Sequence, residues 1–229
     1  MSSRDDSPLL RHAPATVQGR YLVVPPHTGV ARHHFFGFHG QAQTAEVMAD
    51  AFSGSVPDDD WLVVSVQALN IHYAGRNQEV VASWMTRLDR EVAISTNVSY
   101  VDTVVEQVER EFGAADTRVF AGFSQGVGMA YRAGVLGRYR CNAIVTVGGD
   151  VPPELAATAT AEWPEVLAMT GKHDPYFPPD ALEKDADALR VCGVTAHTGV
   201  FDGRHEWAAG ARVGTVAFLR RIANGPARS

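Results

Sequence analysis

The stretch Val119-Phe120-Ala121-Gly122-Phe123-Ser124-Gln125-Gly126-Val127-Gly128-Met129-Ala130 decides how the rest of the chain is read. Its first five residues form an apolar run of strand length, and the residues after the serine are rich in small side chains. Gly126, Gly128 and Ala130 let a helix lie close against a sheet. Between strand and helix stands Ser124, flanked two positions away on either side by Gly122 and Gly126. A strand that turns sharply into a helix leaves the residue at its apex strained and exposed, and side chains two positions away would collide. The glycines remove that collision. The first N–H groups of the helix and the positive end of its dipole are directed at the serine oxygen.

Outward from this turn, apolar strand-length runs alternate with helix-like segments. Strands are predicted near Arg20–Val24, His34–Phe38, Trp61–Val66, Val119–Phe123, Ala143–Val147, Val166–Thr170 and Thr195–Phe201. Several are apolar at nearly every position, as in strands covered on both faces. Helices are predicted over Ala42–Phe52, Asn97–Phe112, Gln125–Leu136, Pro179–Val191 and Glu206–Ile222, the last closed by Gly225-Pro226. Between Asn97 and Phe112 the residues Val98, Val101, Val104, Val105, Val108 and Phe112 share one stripe, a core face. The rhythm predicts an α/β fold with a mostly parallel central sheet and helices on both faces. The stretch from Asn70 to Thr96 breaks it, and reads either as a lid or pocket wall or as a surface excursion with a small helix.

The chain has 229 residues, 45% of them hydrophobic, and a net charge of −6. That length suits one large domain, expected over residues 16–229 behind a flexible N-terminal arm over 1–15. No Lys/Arg block offers a nucleic-acid footprint. No segment has the roughly 18 apolar residues that a membrane span needs, and the first residues lack a signal-peptide pattern; the expected location is cytoplasmic. Cys141 and Cys192 match no metal-ligand spacing and read as buried reduced thiols. Asp58 to Asp60 is a short acidic loop.

A serine hydroxyl is a poor nucleophile until a base takes its proton. After a serine at such a turn the expected chain order is acid, then histidine, each in a loop at the carboxyl end of a strand. Gly171-Lys172-His173-Asp174-Pro175 and Gly203-Arg204-His205-Glu206-Trp207 both fit. His205 is the preferred base, because it follows the last strand beside a flexible glycine. His173 comes too early, and His197 lies within a predicted strand. Asp174 is the preferred acid, Asp150 after Gly148-Gly149 its rival, and Asp202 is too near His205 in sequence. Its role is to orient the imidazole and stabilise its charged form. Early in the chain, Phe35-Phe36-Gly37-Phe38-His39-Gly40-Gln41 is a strand running into a His-Gly turn. The backbone N–H groups of Gln41 and Gln125 are the candidate oxyanion donors, with His39 a packing residue of the turn.

On Phe38-His39-Gly40, Gly122-Phe123-Ser124-Gln125-Gly126, Gly171 with Asp174-Pro175, and Gly203 with His205, the chain resembles the α/β-hydrolase superfamily. Within it, the chain is most similar to the phospholipase/carboxylesterase group of serine esterases. The resemblance runs from about Arg20 to Ile222. It implies the α/β-hydrolase fold, Ser124 as nucleophile with Asp174 and His205 as its relay, and hydrolysis of a small-molecule ester or thioester, or of a lysophospholipid, without metal or organic cofactor. The chain departs from the group's pattern in three places. Ala82-Ser83-Trp84-Met85-Thr86 stands where the group commonly has Trp-Phe/Tyr-Asp, Val127 where it often has glycine, and Arg204 where glycine precedes the histidine. Trp84, Met85, Phe177 and Trp207, with Tyr176, are candidates to line an acyl pocket, and Arg87 and Arg90 to meet an anionic group. A peptidase or acyltransferase using the same three residues, or a non-catalytic ligand-binding protein on this fold, are the alternatives.

Overall fold

The computed structural model describes residues 9–57, 60–160 and 162–225. Seven strands form one sheet: β1 (Tyr21–Val24), β2 (His33–Phe38), β3 (Trp61–Val66), β6 (Thr117–Phe123), β7 (Ala143–Val147), β8 (Glu165–Gly171) and β9 (Ala196–Phe201). Their order across the sheet is β1-β3-β2-β6-β7-β8-β9. All neighbours are parallel except β1, which runs antiparallel to β3. β2, β3, β7 and β8 are buried at every position and β6 at all but Arg118, which is why these strands read as largely apolar runs.

Helices cover both faces. On one side α1 (Ala45–Ser53) and α6 (Ala209–Ala223) close over Phe35, Val63, Val119 and Val145. On the other, α2 (Arg90–Phe112), α3 (Gln125–Leu136) and α5 (Pro179–Val191) close over Phe36, Leu62, Phe120 and Ile144. The valine stripe of α2 is core: Val101, Val104, Val105 and Val108 are buried. A four-residue helix α4 (Pro153–Ala156) follows β7.

The Asn70–Thr96 stretch is corrected by the structure. It is no excursion with a small helix: β4 (Asn70–Ala74) and β5 (Glu79–Ser83) pair as an antiparallel hairpin, and α2 begins at Arg90. Polar residues Ser95 and Thr96 hide the first seven residues, about two turns, from a reading by apolar periodicity. The hairpin joins the body through a bridge between Gln43 and Ala82. Cys141 and Cys192 are unbridged, but Cys192 is exposed at the end of α5 rather than buried.

Residues 9–15 of the expected arm, like residues 16–20 after them, carry no helix or strand and are exposed, while residues 1–8 lie outside the described residues. The same holds for Asp58 and Asp59 of the acidic loop and for Pro226. Among the described residues no helix is long and apolar enough to cross a membrane, and no group of three or more His, Cys, Asp or Glu side chains could hold a metal ion.

Candidate active site

Gln41, Ser124, Gln125, Asp174 and His205 sit at the carboxyl edge of the sheet, because β2, β6, β8 and β9 each deliver their following loop there. Between β6 and α3 the chain reverses at Ser124, whose φ of 52° and ψ of −118° lie in a region that side-chain-bearing residues seldom occupy. Neither glycine two positions from it has room for a side chain. A Cβ on Gly122 would stand 2.2 Å from the Gly126 carbonyl oxygen, and one on Gly126 would stand 2.1 Å from the Phe38 oxygen. The Ser124 N–H donates to the Val147 oxygen at 2.9 Å, extending the β6–β7 ladder into the turn.

His205 reaches this serine from the loop after β9, 81 residues on. Its Nε2 lies 2.9 Å from Ser124 Oγ and its Nδ1 lies 2.7 Å from Asp174 Oδ2. Asp174, buried in the loop after β8, also accepts the Tyr176 and Phe177 N–H groups on Oδ1, at 2.8 and 3.0 Å. Burial works to raise its pKa. The donors from Phe177, His205 and Tyr176 outweigh burial and hold the carboxyl below its ordinary value. A carboxylate therefore faces Nδ1, which donates to it and leaves Nε2 to accept the hydrogen bond of the Ser124 hydroxyl. Phe123 and Tyr176 pack on the imidazole, ring centroids 5.0 Å away in each case.

The neighbouring candidates lie elsewhere. His173 faces Asp202 at 3.8 Å on the surface, and His197 pairs with Glu165 at 2.6 Å on the edge strand. Asp150 lines the same cleft as Ser124 but does not meet His205; the carboxylate on that ring is Asp174.

Gln41 and Gln125 both line the cleft. Gln125 opens α3, where the N–H groups have no intrahelical acceptor. The turn that carries Gln41 is braced: Gln43 Oε1 accepts the Gly40 N–H at 2.7 Å, and the strained Ala42, with φ of 58°, donates its N–H to the Ala82 oxygen at 2.9 Å. His39 is a packing residue, fully buried. Its Nε2 accepts the Ala68 N–H at 3.0 Å, so Nδ1 carries the proton and donates to the Gly40 oxygen at 2.7 Å. Burial pushes its pKa down, keeping it neutral.

The candidate pocket residues divide. Phe177 and Tyr176 line an open cleft of about 610 Å³ beside Ser124, together with Gly148, Gly149 and Asp150. Trp84 and Trp207 do not. Trp207 is buried between α1 and α6, packs on Phe52, and donates its Nε1–H to Ser55 Oγ at 2.8 Å. Trp84 is fully buried; its Nε1–H donates to the His39 oxygen at 2.8 Å and its backbone N–H to Gln125 Oε1 at 2.8 Å. Both indoles need an acceptor once buried, and the acceptors lie in the core. Met85 borders a separate hollow near α2, and Arg90 is bound to Glu154 at 2.9 Å. The Gln125 side chain closes the strap by donating to the Met85 oxygen at 2.9 Å. Sequence reading misses Gln43, the Trp84–Gln125 strap and the closeness of Gly148-Gly149 to the site. Only the paired glycines after β7 carry a local signal.

No family model and no curated protein matches this chain. Solved structures do resemble it. An esterase, PE8, is 23% identical with a TM-score of 0.69, covering 90% of this chain and 100% of that one. Acyl-protein thioesterase 2 of Zea mays is 15% identical with a TM-score of 0.70, over 90% of this chain and 100% of that one. A phospholipase/carboxylesterase from Dyadobacter fermentans is 21% identical with a TM-score of 0.64, over 92% and 99%. At these identities the likeness establishes the fold, which is the α/β-hydrolase fold expected from the sequence.

Proposed function

We propose that this chain is a serine hydrolase that cleaves carboxylic esters through an acyl-enzyme on Ser124. One observation carries the reading: the unbroken hydrogen-bonded line from Ser124 Oγ through the His205 ring to Asp174. The names of the structural neighbours, which include esterases and a thioesterase, agree with it.

Ser124 Oγ attacks the ester carbonyl while His205 Nε2 takes its proton. Asp174, ionised, orients the ring and stabilises the imidazolium without taking the proton. The carbonyl oxygen becomes an oxyanion held by the Gln41 and Gln125 N–H groups, each worth about 3 kcal/mol to the transition state. As the C–O bond breaks, His205 returns the proton to the leaving alcohol. Water then repeats the cycle on the acyl-enzyme, releasing the acid and restoring the serine. Each step uses groups of this chain and water, and none calls for a cofactor.

The test is a panel of p-nitrophenyl esters of graded chain length, run with wild type and Ser124→Ala. Turnover is expected to be strongest for short acyl chains, because the cleft is open and partly polar, and to fall on the order of 10⁶-fold in the variant. A fluorophosphonate probe should label wild type only. Labelling that persists in Ser124→Ala would move the nucleophile elsewhere.

A further inference from the structure

Apart from the His205 imidazole, the residues lining the cleft include one ionisable acid or base of full charge, Asp150. Its position is built by the two glycines before it. Gly148 has φ of +69°, and a Cβ there would stand 3.0 Å from the His205 ring and 3.2 Å from Asp174 Oδ2. A Cβ on Gly149 would stand 2.9 Å from the Ser124 backbone carbonyl oxygen. The backbone thus passes against the His205–Asp174 pair and the main chain of Ser124 and delivers the next side chain to the cleft wall. On its far side the chain is pinned, with the Val151 N–H donating to Asp185 Oδ2 at 3.0 Å.

Asp150 is exposed and, among the described residues, has no hydrogen-bond or ion-pair partner. The cation whose field reaches it, Arg132, is buried and committed: its Nε and Nη2 both donate to Glu154 Oε1, at 2.9 and 2.8 Å. Arg90 holds the other oxygen of Glu154, and the Asp185 carboxylate adds charge of the same sign as Asp150. Tyr176 and Phe177 line the same cleft, and aromatic faces attract cations as carboxylates do.

We propose that Asp150 determines specificity by charge, so that the preferred esters carry a cationic group, a quaternary or protonated amine, near the scissile carbonyl, and anionic esters are disfavoured. This rests on the reading of Ser124 as the nucleophile. Nothing in the step changes: the cation stays bound beside Asp150 while the acyl group passes to Ser124 and then to water.

The experiment compares kcat/KM for three p-nitrophenyl esters of matched length, with 4-(trimethylammonio)butyryl, 5,5-dimethylhexanoyl and glutaryl acyl groups, each corrected for its rate of alkaline hydrolysis. The cationic ester is expected to exceed its neutral isostere about fivefold or more, and the anionic ester to fall below it by a similar factor. Asp150→Asn should bring both ratios to within about twofold, Asp150→Lys should invert them, and high salt should compress them in wild type without any variant. Ratios near one in wild type, or ratios unmoved by either variant, would overturn the assignment while leaving ester hydrolysis standing. If none of the three esters is turned over faster by wild type than by Ser124→Ala, the hydrolase reading fails and this inference with it.

Discussion

Two stretches of chain meet at Gln125 and are built on opposite terms. On either side of Ser124 the backbone leaves no room for a side chain, and both glycines of the turn answer to an atom within about 3 Å, the Gly126 oxygen against Gly122 and the Phe38 oxygen against Gly126. The Asn70–Ser83 hairpin has space to spare. A Cβ on Gly75 at its tip would meet nothing within 4 Å, and Ile71, Tyr73 and Val80 point into solvent. Its base, from Ala82 to Trp84, is locked to the site through Ala42, Gln43 and Gln125. Local crowding writes itself into sequence as glycine and small residues; contact made by long side chains across the fold does not.

The sharpest break of that contrast lies at the far end of the relay. Asp174→Asn keeps the shape of the loop but replaces the acceptor facing His205 Nδ1, and ester turnover is expected to fall about 10⁴-fold. Stability should respond with a defined sign. The folded pKa of Asp174 lies below its unfolded value, so the carboxylate contributes stability above the unfolded pKa of about 3.9, and loses it as pH falls through the lower folded value. Wild type should therefore unfold later than the variant at neutral pH, and the gap should close in strong acid. A gap that widened on acidification would mean that Asp174 is not held as a carboxylate.

Much of the fold and the site is legible in the sequence. Strand runs, chain order and the glycines beside Ser124 lead to the same sheet edge, because the parallel sheet turns a linear order of strands into a row of loops. Asp174 is separable from Asp150 by its Pro-rich loop, although the Tyr176 and Phe177 N–H donors that anchor it leave no mark in the sequence. The aromatic residues are the weak point. Trp84 and Trp207 have the composition of a pocket wall, and whether an indole faces a cleft or the core depends on where its N–H finds an acceptor. Those acceptors, the His39 oxygen and Ser55 Oγ, lie 45 and 152 residues away in the chain.

A matched pair of substitutions sets the two stretches against each other. Gly126→Ala drives a methyl group onto the Phe38 and His39 oxygens, and is expected to cost about 3 kcal/mol of stability together with most ester turnover. Gly75→Ala places a side chain at φ of +66° in open space, costing about 1 kcal/mol for the left-handed backbone, with turnover unchanged. Urea melts with a turnover assay on the same samples would measure both. Equal costs would mean that crowding around the serine does not govern the turn.

Trp84→Phe tests a place where the end of the open stretch reaches into the crowded one. The ring volume is largely kept, and the Trp84 N–H still donates to Gln125 Oε1, so the strap to the start of α3 survives. What is lost is the Nε1–H donor to the His39 oxygen, leaving a buried carbonyl unpaired at a cost of about 1 to 3 kcal/mol. His39 precedes the Gly40-Gln41 turn, so a carbonyl free to reorient loosens one oxyanion donor while the substrate contacts stay intact. Because Trp84 does not line the cleft, kcat is expected to fall about tenfold with KM nearly constant, the pattern of an interaction made only in the transition state. A loss of stability with kcat intact would make Trp84 a core prop alone. A rise in KM would put its ring nearer the substrate than the hydrogen bond to His39 allows.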